Sequence, residues 1–193
     1  MKPRIFPTPL KGFSRTVEKE VKMTDTGYLN TKAVDDWLSA NLIGYQGPSD
    51  SQKFAGGQSN PTFLISAKSG NYVLRRKPPG VLLKSAHAVD REFRVQSALK
   101  ATAVPVAEMH VLCQDDKVIG SAFYVMDMVQ GRNFDDPRLP DLSFEDRKPV
   151  IEEMNRVLAA IHNVDIVKAG LNDFGPEGNY YQRQTDRWTK QYR

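Results

Sequence analysis

TFLISAKSGNYVLRR, residues 62–76, contains two runs of apolar and β-branched residues on either side of Ser69-Gly70. Such runs favour extended strands, and a Ser-Gly pair between them is typical of a tight hairpin turn. The segment therefore predicts two antiparallel strands, at 62–66 and 71–76. Pro78 and Pro79 follow closely, and they end the second strand because proline cannot donate a backbone hydrogen bond to a sheet.

Further helices and strands are predicted on both sides of this hairpin. Upstream, a helix over 30–44 is capped by Asn30 or Thr31 and closed by Gly44, and a strand follows at 52–55. Ser143 caps a long downstream helix, which Pro149 would kink unless the regular helix starts just before it. The remaining downstream elements are a helix over 85–100, strands at 106–113 and 117–129, that long helix over 144–162, and a final helix over 180–193. The predicted buried stripes are Ala33, Val34, Trp37, Leu38 and Leu42 in the first helix, and Val150, Ile151, Met154, Val157, Leu158 and Ile161 in the long one.

This order of elements predicts an α+β fold. Three strands, a helix and two strands match the protein-kinase-like amino-terminal lobe, a five-stranded antiparallel sheet packed by one helix. We divide the chain into a disordered basic tail at 1–23, this lobe at 24–129, and at 130–193 a hinge connector with the first helices of an incomplete carboxy-terminal lobe.

The charge distribution excludes a nucleic-acid platform. The net charge of +4 lies within residues 1–22, and the rest of the chain is balanced. We expect that tail to be a dispensable extension, with a targeting peptide or a true start at Met23 as alternatives. No apolar run is long enough to span a membrane. One cysteine, Cys113, cannot form an intramolecular disulfide and fits a reducing, cytoplasmic setting.

Two segments suggest phosphate binding. Gly56-Gly57 in FAGGQSNPTF lets backbone N–H groups approach phosphate oxygens, although a plain glycine-rich hairpin explains it equally well. In YVLRRK, strand alternation places Val73 and Arg75 on one face. Val73 would floor an adenine site, and Arg75 would grip the phosphates and pair with Glu92 on the following helix.

FYVMDMVQGRNF supplies a candidate hinge. Met126 would lie behind the adenine, and the backbone of Asp127 to Val129 would hydrogen-bond it. A core strand followed by an ordinary loop is the alternative interpretation.

Together the motifs FAGGQSNPTF, YVLRRKPPG, SAHAVDREFRV, FYVMDMVQGR, LAAIHNVD, GLNDFG and YYQRQTDRWTKQY resemble the aminoglycoside-phosphotransferase-like kinase family, over residues 24–193. The branch they resemble is related to the kinase domain fused to acyl-CoA dehydrogenases. The resemblance implies ATP and Mg²⁺ as cofactors and transfer of the γ-phosphate to a small-molecule hydroxyl, of hydroxyacyl-CoA type. It implies cofactor-binding roles for Gly56, Gly57, Ser59, Asn60, Val73, Arg75, Glu92, Met126, Asp127 and Val129.

Asp173-Phe174-Gly175 looks like the magnesium-binding motif of protein kinases. However, only eight residues separate it from Asp165, too few for the two strands that follow a kinase catalytic loop, so we interpret it as a look-alike between helices. We therefore assign no catalytic residue and no metal ligand. The sequence predicts a phosphotransferase truncated before its catalytic loop and inactive alone, the missing lobe being on a separate polypeptide. The alternative is a non-catalytic nucleotide- or partner-binding module.

Overall fold

The computed structural model describes residues 29–55, 60–78, 87–175 and 178–192. The basic tail predicted at 1–23 and the possible start at Met23 lie outside these ranges. The described residues form four helices and five strands. These are α1 Thr31–Asn41, β1 Asp50–Lys53, β2 Thr62–Ala67, β3 Gly70–Arg76, α2 Val89–Leu99, β4 Met109–Cys113, β5 Phe123–Asp127, α3 Phe144–His162 and α4 Tyr180–Gln191.

The five strands form one sheet in the order β1-β2-β3-β5-β4, and every neighbouring pair is antiparallel. The hairpin β2–β3 pairs Phe63 with Leu74, and β3 lies at the centre of the sheet. On its other side β3 pairs with β5, where Arg75 lies opposite Tyr124. The predicted α+β fold with a five-stranded antiparallel sheet is therefore confirmed.

The two faces of the sheet pack against different helices. Leu74 points to the α1 side, in a core with Leu38, Phe63 and Val125, all 3% exposed or less. Alternation turns Tyr124 to the opposite face, where it packs against Val89 and Phe93 of α2. The α2 side of β3 and β5 is therefore where Val73 and Arg75 lie.

Helix α1 forms with the predicted cap, but it ends at Asn41, before the predicted closure at Gly44. The Asn30 side chain accepts a hydrogen bond from the Ala33 backbone N–H at 3.1 Å, which caps the first turn. Val34 and Leu38 are fully buried, and the Trp37 ring meets Phe123 edge to face at 5.1 Å. These contacts attach α1 firmly to the sheet.

The strand bounds differ from the prediction by one residue in β2 and β3 and by more in β1, β4 and β5. β1 lies at 50–53 rather than 52–55, a shift of two residues that leaves the same side chains on each face. β4 begins at Met109 and β5 at Phe123, later than predicted. Before β5, Asp115 and Asp116 accept turn hydrogen bonds from the amides of Val118 and Gly120, so this backbone pairs with itself rather than with the sheet.

Helix α3 has the predicted bounds, but its predicted buried stripe is wrong. Ser143 caps it by accepting from the Asp146 N–H at 3.1 Å, and the helix runs through Pro149 without interruption. The side chains of Val150 and Val157 are half-buried. The rest of the stripe is exposed because no described element covers that face: Ile151 39%, Met154 59%, Leu158 50% and Ile161 48%.

The helices in the described ranges include none that combines the length and the apolar character needed to cross a membrane.

Candidate functional site

Arg75 and Glu92 meet on the α2 side of the sheet. The Arg75 Nε donates to Glu92 Oε2 at 2.8 Å, and its Nη1 donates to Thr62 Oγ1 at 3.2 Å. Both charged side chains are about one third exposed, 29% and 33%. The ion pair is thus already formed and remains accessible to a ligand from solvent.

The Glu92 carboxylate accepts hydrogen bonds from two further side chains. Asn60 Nδ2 donates to Oε1 at 2.8 Å, and the Tyr124 hydroxyl donates to Oε2 at 3.1 Å. A carboxylate that leaves bulk water needs such donors to remain stable as an anion. Three donors from two strands and one loop therefore determine the position of Glu92.

Asn60 lies beneath the site rather than at its surface. It is 2% exposed, and its Oδ1 lies 2.9 Å from His87 Nδ1. Because an amide oxygen only accepts, His87 Nδ1 is the donor. The Asn60 side chain thus holds Glu92 and is held by His87, and the cofactor-binding role predicted for Asn60 stays a prediction.

Tyr124 is 1% exposed and is a partner that the sequence analysis missed. Burial, reinforced by the charge of Glu92, raises the pKa of its phenol to about 12, so the hydroxyl remains a neutral donor at physiological pH. Gln96 Nε2 donates to the same hydroxyl at 3.4 Å. The alternation of β5 was the available signal, because it places Tyr124 and Met126 on one face.

Of the residues predicted to line an adenine site, Val73 and Met126 lie next to each other in the sheet. Val73 is 6% exposed and lies directly opposite Met126 in the sheet, on the same face as Arg75. The Asp127 N–H donates to the Glu108 carbonyl at 2.9 Å, and the Asp127 carboxylate accepts from His110 Nε2 at 2.6 Å. The Asp127 amide is therefore engaged in the protein, whereas Val129 is 44% exposed beyond the end of β5.

Gly56, Gly57 and Ser59, predicted to hold phosphate, lie outside the described residues.

The Asp173-Phe174-Gly175 motif lies in the loop between α3 and α4, as predicted. Asp173 pairs with Arg94 of α2, and this hydrogen bond lowers the pKa of the Asp173 carboxyl. Asp165 instead accepts from the backbone N–H groups of Val167 and Lys168 within its own turn. The two carboxylates have separate partners, and the described ranges hold no group of three acidic, His or Cys residues able to bind a metal.

An antiparallel sheet whose third strand presents a cation to a helix glutamate is the nucleotide-side architecture of kinase-type phosphotransferases. Residues 50–193 match the family model for APH, the phosphotransferase enzyme family. The chain belongs to this family.

The chain is also similar to one region of several longer proteins. It is 52% identical over 145 residues to "Probable acyl-CoA dehydrogenase IBR3" of Arabidopsis thaliana, covering 72% of this chain and 18% of that protein. Acyl-CoA dehydrogenase family member 10 of Mus musculus is 46% identical over 147 residues, 76% of this chain and 14% of that one. The human family member 11 is 39% identical over 167 residues, 84% of this chain and 21% of the relative. The chain thus spans about a fifth or less of these relatives.

A crystal structure from Ralstonia eutropha JMP134, described as an aminoglycoside phosphotransferase, has the same fold. It is 46% identical and superposes with a TM-score of 0.72 over 86% of this chain. The match covers 47% of that chain.

Proposed function

We propose that this chain is the nucleotide-binding part of an ATP-dependent phosphotransferase that acts on a small-molecule hydroxyl. The observation that carries the proposal is the Arg75–Glu92 pair, with Glu92 held by Asn60 and Tyr124. A guanidinium is permanently charged and presents several N–H groups in a planar fork that suits phosphate oxygens. Its Nε edge is used by Glu92, and its outer N–H groups would bind the nucleotide phosphates.

Family membership implies the use of ATP with a magnesium ion. The described residues suit the nucleotide better than they suit the metal. Arg75, Val73 and Met126 share one face and suit a nucleotide. The described residues bring together no group of carboxylates that could hold Mg²⁺. Residues that hold magnesium and activate the acceptor would then be supplied outside the described ranges, on the rest of a longer protein or on a second polypeptide.

For the acceptor, we propose a hydroxyacyl-CoA-type metabolite. The similarity to regions of proteins named acyl-CoA dehydrogenases supports this choice over an aminoglycoside. A non-catalytic nucleotide-binding module is the second candidate, favoured by the separate engagement of Asp165 and Asp173.

The test is a titration of the chain with ATP, in which binding is measured by the broadening of the NMR lines of the nucleotide. We expect a Kd of about 1 mM or weaker, equivalent to roughly −4 kcal/mol. Arg75→Ala should weaken binding about tenfold or more, as expected for a lost charge-assisted hydrogen bond. Arg156→Ala, on α3, removes the same charge from an exposed site and should bind like the wild type.

Unchanged affinity in a folded Arg75→Ala chain would remove Arg75 from the site. Arg76 would not replace it, because Arg76 lies on the opposite face of β3 with its Nε directed to the Lys77 carbonyl. In a full-length relative, the substitution equivalent to Arg75→Ala should lower phosphoryl transfer by about 10²–10³, the scale for losing one preorganised donor.

A further inference from the structure

We propose that the loop 170–175 is a positioning element for Glu92. Gly170, Asp173 and Phe174 of this loop contact Arg91 and Arg94 of α2, and we name these five residues the α2 latch. The latch deepens the proposed function, on which its effect on nucleotide binding rests. The contact itself is a property of the fold and can be tested separately.

Five contacts of three kinds join the loop to the helix. Arg91 Nη2 donates to the Phe174 carbonyl at 2.6 Å, and Arg94 Nη2 donates to the Gly170 carbonyl at 3.0 Å. Arg94 also pairs with the Asp173 carboxylate. The Phe174 ring lies 4.2 Å from the Arg91 guanidinium carbon and 5.9 Å from that of Arg94. Both arginines are therefore held by one short loop segment.

The latch and Glu92 lie on different sides of the same helical turn. At 100° per residue, Glu92 is about 100° around the helix from Arg91 and about 160° from Arg94. Arg91 and Arg94 are adjacent on one face, whereas Glu92 reaches the sheet. A movement of this turn toward or away from the loop therefore moves the Glu92 carboxylate relative to Arg75.

Apart from the Glu92 network and the packing of Val89 and Phe93 on Tyr124, helix α2 has few features that hold it, so the latch contacts add to its anchoring. Among its residues only Val89 is buried, and Ala88 at its N-terminus provides no side-chain cap. By comparison, α1 has a capping Asn30 and two fully buried residues. The loop is itself ordered by hydrogen bonds from Leu171 N–H to Ile166 and from Phe174 N–H to Leu171, so it can serve as a support.

The latch also explains the kinase-like motif. Each of its contacts is exposed and weak alone, but all act on one helical turn. Asp173 and Phe174 give the loop an anion and an aromatic face, the two groups that two neighbouring arginines bind. The motif then serves helix α2 rather than a metal.

The test is amide hydrogen exchange of the whole chain, measured first without nucleotide. Phe174→Ala should accelerate exchange in Val89–Leu99 about fivefold or more, the scale of losing cation–π contacts, while β2 and β3 exchange as in the wild type. Asp173→Asn should accelerate exchange in the same helix to a smaller extent. Phe174→Tyr keeps the ring, so exchange in α2 should remain as slow as in the wild type. Glu153→Gln breaks an exposed ion pair on α3 and should leave α2 unchanged.

Unchanged exchange of α2 in Phe174→Ala would overturn the latch, and so would acceleration spread equally over the sheet. ATP titration then separates the two proposals. Phe174→Ala should weaken ATP binding severalfold in the wild-type background and not in Arg75→Ala. If the wild type binds no ATP, the proposed function fails while the exchange result still decides the latch. Equal loss in both backgrounds would mean that the loop affects binding by a route other than Glu92.

Discussion

Glu92 is the common hydrogen-bond partner of the other side chains in the candidate site. Its carboxylate accepts from Arg75, Asn60 and Tyr124, and each donor comes from a different segment. Asn60 is itself positioned by His87. This arrangement leaves Glu92 little freedom to rotate, so the Arg75 guanidinium is held in one orientation, which would reduce the ordering cost of the proposed phosphate binding.

Tyr124 makes this network sensitive to alkaline pH. Its pKa of about 12 lies above the value of about 10 for an unfolded tyrosine. The unfolded chain loses the proton first, so the free energy of unfolding should fall as pH rises from about 10 to 12. Below pH 10 this contribution is fully present. Urea unfolding between pH 9 and pH 11.5 should show the decline, and Tyr124→Phe should make it shallower.

Tyr45 adds a second contribution of the same sign, because burial and its hydrogen bond to Asp35 raise its pKa to about 12. The double variant with Tyr45→Phe and Tyr124→Phe should therefore have the shallowest decline. Tyr181→Phe, at a ring that is 85% exposed, is the control. A Tyr124→Phe slope identical to that of the wild type would contradict the assignment.

At the scale of elements, the helices differ in what holds them. α1 is anchored by a cap and a buried stripe against the sheet, and α2 by Val89, the Glu92 network and the latch. α3 has an equally apolar stripe, but its residues remain exposed in this chain. Apolar patterning alone therefore does not predict how much each helix contributes to stability.

Matched leucine truncations should separate α1 from α3. Leu38→Ala empties a fully buried position and should lower the free energy of unfolding by about 2–5 kcal/mol. Leu158→Ala, at a site 50% exposed, should cost less than about 1 kcal/mol. Chemical denaturation of both variants measures the difference. Equal losses would show that α3 is packed in solution against a surface that the described structure does not contain.

At the scale of the whole molecule, the chain matches one part of a longer protein of the phosphotransferase enzyme family. It covers 47% of the similar crystallised chain, and four aromatic rings of α4 and its end are exposed. These are Tyr180 60%, Tyr181 85%, Trp188 55% and Tyr192 85%. These rings, like the α3 stripe, are exposed apolar groups of the kind that mark an interaction site when they form one patch.

The chain by itself should transfer no phosphate from labelled ATP to hydroxyacyl-CoA or aminoglycoside acceptors. In-line transfer needs an acceptor base and carboxylates that hold magnesium, and the described residues do not assemble them. Asp173→Asn and Phe174→Ala should be assayed in parallel. Transfer that Asp173→Asn loses and Phe174→Ala retains would show that Asp173 works as a metal ligand, contrary to our interpretation.

The sequence alone determined the number of strands, the antiparallel sheet and the face of β3 on which Arg75 lies, because alternation along β3 and the turn at Ser69-Gly70 are local properties. It also determined α1, whose cap and stripe lie within one short segment. The Arg75–Glu92 pair was predictable as soon as the helix after β3 was placed on the sheet.

Only the tertiary structure decided which groups surround that pair. Tyr124 reaches Glu92 through the register of β5 on β3, and Asn60 turns inward because of His87, relations that residue spacing does not contain. The sequence predicted that the Asp173 motif is a look-alike, but it could not predict the contact of Asp173 with Arg94 of α2, which spans 79 residues of sequence. Burial of the α3 stripe was mispredicted for the same reason, because periodicity shows which face is apolar and only the neighbouring elements decide whether that face is covered.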